Sequence, residues 1–118
     1  MRPTLILTVA LCGLLAACGG RGSLTRTPYS APVLYATGPI QQACAGQRRK
    51  EASRARCGCI QAVADQSLSA AYQRRGAGYF SNPALLQEVR QSDSAANERF
   101  WQAWKAFGET AAAMCSGT

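Results

Sequence analysis

The chain has 118 residues, with 13 Lys and Arg, 6 Asp and Glu and no His, for a net charge of +7. That length holds one small domain. The lack of His removes the commonest general base and the commonest neutral metal ligand, and so few carboxylates leave little acid–base capacity, so the composition argues against an enzyme.

The first 17 residues read as an export signal. Arg2 supplies the single charge of an n-region, and the apolar run from Leu5 to Ala17 that follows is about 13 residues long. That suits a signal h-region and falls short of the roughly 20 residues of a membrane span. The run ends in Leu15-Ala16-Ala17-Cys18, which resembles the lipobox of bacterial lipoproteins. The resemblance implies cleavage before Cys18 and acylation of its sulfur and new amino group. An ordinary signal peptidase wants a small residue at the place that Leu15 occupies. In enterobacterial lipoproteins an Asp after the lipidated Cys implies inner-membrane retention. Gly19 therefore points to the outer rather than the inner membrane, with the protein facing the periplasm. Acyl chains anchor by burial, at about 0.8 kcal/mol per CH₂.

Residues 18–38 read as a lipidated flexible tether, rich in Gly, Ser, Thr, Pro and Arg and without apolar periodicity. A coil of that length has an end-to-end distance of roughly 25 Å. Its apolar members Tyr29, Val33, Leu34 and Tyr35 are candidates to pack on the domain that follows, residues 39–118.

That domain is expected to be all-α, a small disulfide-linked bundle of about 4–5 helices. Pro39 suits a first helical position, Ile40 and Cys44 share a face, and the helix should stop near Gly46. A second helix is expected over 51–66, with Cys57, Ile60, Ala64 and Leu68 forming one apolar stripe that Cys59 and Val63 broaden. Ser69 should cap a third over 70–80, holding Tyr72, Tyr79 and Phe80, though Gly76 and Gly78 weaken it. Asn82-Pro83 starts a fourth, running to about Gln91 with Leu86 and Val89 inward. Asp93 or Ser94 caps the last, where Phe100, Trp104, Phe107, Ala111 and Met114 recur at helical spacing and Cys115 closes the stripe.

Beyond the signal and Cys18, four cysteines remain: Cys44, Cys57, Cys59 and Cys115. In a small exported domain an even number reads as disulfides. Side chains two apart on a helix point about 200° away from each other, which disfavours a Cys57–Cys59 bond. That leaves 44–57 with 59–115, or 44–59 with 57–115, the second slightly preferred. Each closure stabilises by roughly 3 to 4 kcal/mol on the chain-entropy model. A thiol–disulfide redox role for Cys57-Gly58-Cys59 is the competing reading, since Arg54 and Arg56 would lower a thiol pKa. The motif lacks the Cys-x-x-Cys spacing and βαβ setting of thioredoxin-like proteins. Zinc fits poorly, because Cys-x-Cys and these spacings are not those of a finger. No cofactor or metal is expected.

Arg48, Arg49 and Lys50, with Arg54 and Arg56, form a dense cationic cluster, and Arg74-Arg75 a second. Such clusters suit phosphates, anionic lipid heads or cell-wall carboxylates; the plainer alternative is a solvated helical face. Nucleic acid is a poor partner in a compartment that holds little of it. The expected partners are the membrane, through the lipid, and an envelope protein or anionic envelope polymer. Phe100, Trp101, Trp104 and Phe107 fit a core better than a ligand patch, and Trp101, off the main stripe, is the aromatic expected to be exposed or to touch a partner. The chain holds no Gly-x-Ser-x-Gly, suitably spaced carboxylate pair or phosphate-cradling Gly loop.

The stretches Cys57-Gly58-Cys59-Ile60-Gln61-Ala62-Val63-Ala64-Asp65-Gln66, Arg90-Gln91-Ser92-Asp93 and Glu98-Arg99-Phe100-Trp101 resemble a family of short bacterial lipoproteins often labelled "arginine transporter", over most of residues 38–115. The resemblance implies an accessory role in arginine transport, since a lipid-anchored domain of this size cannot itself form a transmembrane path. Binding cationic arginine would need an acidic pocket, for which Glu51, Asp65, Glu88, Asp93 and Glu98 are the candidates. The leading expectation is a membrane-anchored envelope lipoprotein with a non-catalytic binding or structural role.

Overall fold

A computed structural model describes residues 33–118. The expected export signal, Cys18, Tyr29 and the tether through residue 32 lie outside the described residues. The domain is all-α and disulfide-linked: α1 Pro39–Gly46, α2 Arg54–Ser67, α3 Ala70–Ala77, a 3₁₀ turn Gly78–Phe80, α4 Pro83–Arg90 and α5 Ala95–Cys115. No strand occurs among the described residues.

Local chemistry sets most boundaries. Ser53, Ser69 and Ser94 each cap a helix, accepting from the backbone N–H of Arg56, Tyr72 and Asn97. Each satisfies one of the orphan donors of a first helical turn. The expected start of α2 at 51 moves to Arg54, because Ser53 is the capping residue. The third helix shortens to Ala77 and tightens into the 3₁₀ turn. Asn82 precedes Pro83 as expected but makes no side-chain capping bond. The stop after α1 is not made by Gly46, which lies within the helix. Arg48 takes the left-handed conformation instead, with φ 52, and its N–H bonds back to the Ala45 carbonyl. A left-handed C′ residue is the usual helix stop, though Gly normally holds it.

Helix α2 sits between α1 and α5 and packs on both. The core joins Ile40 of α1, Cys59, Val63 and Ala64 of α2, Leu68, and Phe107, Ala111 and Cys115 of α5. Around Phe100, which is fully buried, Tyr72 and Tyr79 stand edge-on and Trp104 stacks at 5.7 Å. Val89 is buried as expected and Leu86 half-buried. Met114 departs from expectation: it is 50% exposed, because Ala111 and Cys115 already fill the core side of that turn.

Two glycines serve close packing. A Cβ on Gly76 would lie 1.9 Å from the Trp104 ring, so the residue that weakens α3 as an isolated helix is the bed for that indole. A Cβ on Gly58 would lie 2.2 Å from the Tyr35 ring. Tyr35 lies against α2 there, Ala36 N–H donates to the Gly58 carbonyl at 2.9 Å, and Leu34 packs on the core. Residues 34–38 thus lie against the domain ahead of Pro39, and of the tether's candidates for packing Leu34 and Tyr35 do so while Val33 is 77% exposed.

Candidate functional site

The cysteines pair as Cys44–Cys57 and Cys59–Cys115, with Cα separations of 5.6 and 5.8 Å. The preferred pairing of 44–59 with 57–115 is therefore corrected. The reason is the helical geometry itself. Cys57 and Cys59 point to opposite sides of α2, and α2 is sandwiched, so one faces α1 and the other α5. All four are buried. Cys57 and Cys59 do not form a dithiol pair with each other, and buried structural cysteines are unreactive.

The expected cationic residues separate into two groups. Arg48, Arg49, Lys50 and Arg54 are exposed around the connection from α1 to α2. Arg54 Nε donates to Tyr35 Oη at 3.3 Å, which raises further the pKa of a guanidinium that is charged in any case. Arg56 is half-buried. Its Nη1 donates to the Glu51 carbonyl at 3.2 Å and its Nη2 to the Ser116 carbonyl at 3.1 Å, tying the connection to the C-terminal end of α5. A cation suits that end of a helix. Among the described residues the Arg56 Nε is buried without a hydrogen-bond partner. Among the described residues the partners of Arg54 and Arg56 are neutral oxygens, so the charge at this end of the bundle is not cancelled by those contacts.

The second basic pair is different. Arg75 Nε donates to Tyr79 Oη at 2.9 Å, its Nη2 donates to Asn97 Oδ1 at 2.7 Å, and the guanidinium lies 4.2 Å from the Phe100 ring centroid. Arg75 is a packing residue; its neighbour Arg74 is exposed. Trp101 is half-buried, with the Arg90 guanidinium 5.7 Å from its ring centroid. It joins α4 to α5, and only part of it remains for a partner.

Beside Arg56 an open groove of about 470 Å³ runs between α2 and α5. Ile60, Phe107, Ala111 and Cys115 contribute its apolar wall, Gly108 and Ala112 leave it wide, and Arg56 and Ser116 close one end. From Phe107 to Ser116 it extends about 14 Å at the helical rise. Its size lies within the ~300–1,000 Å³ of small-molecule sites. Sequence reasoning placed Ile60, Phe107 and Ala111 in the core stripes but had no means of seeing that two small residues one turn apart, Gly108 and Ala112, hollow the contact.

Comparison with family models, curated proteins and solved structures yields no match.

The expected acidic candidates are not brought together. Glu51, Glu88, Asp93 and Glu98 are exposed on different elements. Asp65 belongs to a polar network that sequence reading missed. Gln61, fully buried, accepts from Ile40 N–H and Gln41 N–H at 2.9 Å each. Its Nε2 donates to Asp65 Oδ1 at 2.8 Å and to Gln73 Oε1 at 2.7 Å. Gln73 Nε2 in turn reaches the Ala64 and Leu68 carbonyls, each at 3.3 Å, and Asp65 Oδ1 at 3.2 Å. The network thereby satisfies the first turn of α1 and the last turn of α2 together. Gly38, which precedes α1, has no side chain to cap it, and a Cβ there would lie 2.7 Å from Gln61. Gln61 caps α1 from the neighbouring helix.

Proposed function

We propose that the chain is a lipid-anchored protein of the bacterial cell envelope, exported and acylated at Cys18, with a non-catalytic binding or structural role. The observation that carries this reading is the division of labour among the cysteines. The two disulfides use all four cysteines of residues 39–118, so Cys18, in its lipobox-like setting, is not needed for stapling. Disulfides of this kind belong to oxidising compartments such as the periplasm. The exposed cationic connection bearing Arg48, Arg49, Lys50 and Arg54 supports contact with an anionic envelope component, with the outer membrane favoured by Gly19.

Two rival readings find less support. A redox role sits poorly with Cys57 and Cys59 bound to different partners in the core. An accessory role in arginine transport sits poorly with a groove whose only charged wall residue, among the described residues, is a guanidinium.

The test is acylation. Cells expressing the full chain are fed an alkyne-tagged palmitate, and the mature protein is isolated and its mass measured. The expected result is label on the wild-type chain, none on Cys18→Ser, and a mature N-terminus at residue 18. An unlabelled chain would overturn the reading. Density-gradient separation of the two membranes then reports location, with enrichment in the outer membrane expected.

A further inference from the structure

We propose that the groove between α2 and α5 binds a single acyl chain bearing a carboxylate, with the chain along Ile60, Phe107 and Ala111 and the carboxylate at Arg56. Three observations converge on one ligand chemistry. The wall is apolar along about 14 Å of α5, so an extended hydrocarbon gains by burial there. One end carries the only charged side chain that the described residues give the groove, the Arg56 guanidinium. That guanidinium is not saturated: each terminal nitrogen carries two N–H groups and, among the described residues, makes one bond to a neutral carbonyl, which leaves a donor on each, while the Nε is buried out of reach of the groove. A guanidinium presents a planar fork of donors that matches a carboxylate.

Arginine itself is a poor occupant, because with its carboxylate at Arg56 its own guanidinium would lie along the apolar wall without a counter-charge. A neutral hydrocarbon would leave that cation beside an apolar ligand with no counter-charge. The exposed Arg48, Arg49 and Lys50 lie on the connection that Arg56 ties to this end, and their field adds to the attraction for an anion.

The site stands on α2 and α5 alone, while its placement beside membrane acyl chains rests on the proposed anchoring. The two are tested separately, since the mass of the isolated chain reports acylation whatever the groove does.

The groove offers a substitution that should leave the fold intact. A Cβ at Gly108 meets no atom of the described residues within 4 Å. Gly108→Leu therefore starts into open space on the groove wall, where its side chain can cover the groove, and it replaces a poor helix former. The full chain, isolated from a bacterial host and held in phosphatidylcholine nanodiscs, is exposed to a photoactivatable diazirine analogue of lauric acid or to its methyl ester. Labelled positions are mapped by mass spectrometry.

The acid is expected to label the 107–116 segment saturably. It should do so about tenfold more than the ester, the worth of one charge-assisted hydrogen bond. Arg56→Gln should bring the acid down to the level of the ester. Gly108→Leu should abolish labelling of that segment while its melting temperature equals or exceeds that of the wild type. Equal labelling by acid and ester would overturn the assignment. So would label that never saturates, or wild-type labelling of Gly108→Leu.

Discussion

Gln61→Leu is the sharpest test of how the bundle is held together. The side chain is fully buried, and leucine is of similar size, so the change removes polarity with little change in volume. It strips an acceptor from the N–H groups of Ile40 and Gln41 and a donor from Gln73 and Asp65. Gln41 and Asp65 lie near or at the surface and can turn to water. The Ile40 N–H and Gln73 Oε1 are buried and cannot. An orphaned buried group costs about 1–3 kcal/mol, so two cost about 2–6, offset by about 1 from the added apolar burial. The expected destabilisation is about 3 kcal/mol, a large share of the ~5–15 kcal/mol that holds a domain folded. The assay is guanidinium unfolding of the oxidised protein, with amide exchange at Ile40 as a local reporter. Gln61→Leu with Gln73→Leu should cost less than the sum of the two single changes, because each single change strands the other's buried group. A loss below about 1 kcal/mol for Gln61→Leu, with unaltered exchange at Ile40, would refute the idea that Gln61 caps α1.

Removing the disulfides should separate by loop length. Cys59 and Cys115 are 56 residues apart and Cys44 and Cys57 only 13. Replacing the first pair by Ala should cost about 4 kcal/mol and the second about 3 on the chain-entropy model, read by denaturant unfolding. Gly76→Ala puts a methyl group into the Trp104 ring. It should lower stability by about 1–3 kcal/mol despite the better helix propensity, with a change in Trp fluorescence. Arg48→Gly removes the cost of a left-handed non-glycine residue and should leave stability equal or raise it by up to about 1 kcal/mol, seen as a higher unfolding midpoint. Millimolar arginine should not shift the melting temperature, since the expected acidic residues are scattered; a saturable stabilisation would revive the transport reading.

The sequence by itself determined the helical class, the order of the helices and most of their starts. These depend on neighbours in the chain: a serine cap bonds three residues ahead, Pro39 and Pro83 preset a first turn, and an apolar stripe repeats with the helical period. It also determined that Cys57 and Cys59 cannot staple the same neighbour, because that follows from the angle between adjacent positions on one helix.

Which neighbour each one meets was decided only when α2 lay between α1 and α5. The same holds for Gln61, whose capped partners Ile40 and Gln41 are 21 and 20 residues away in the chain and leave no periodic trace. It holds for Gly58 and Gly76, which look like helix weakeners until an aromatic ring is laid on each. Arg75 and Arg56 are equally basic in sequence. Packing draws one into the aromatic core and sets the other at the mouth of a groove, because a side chain's role depends on what stands opposite it, and that is set by tertiary contact.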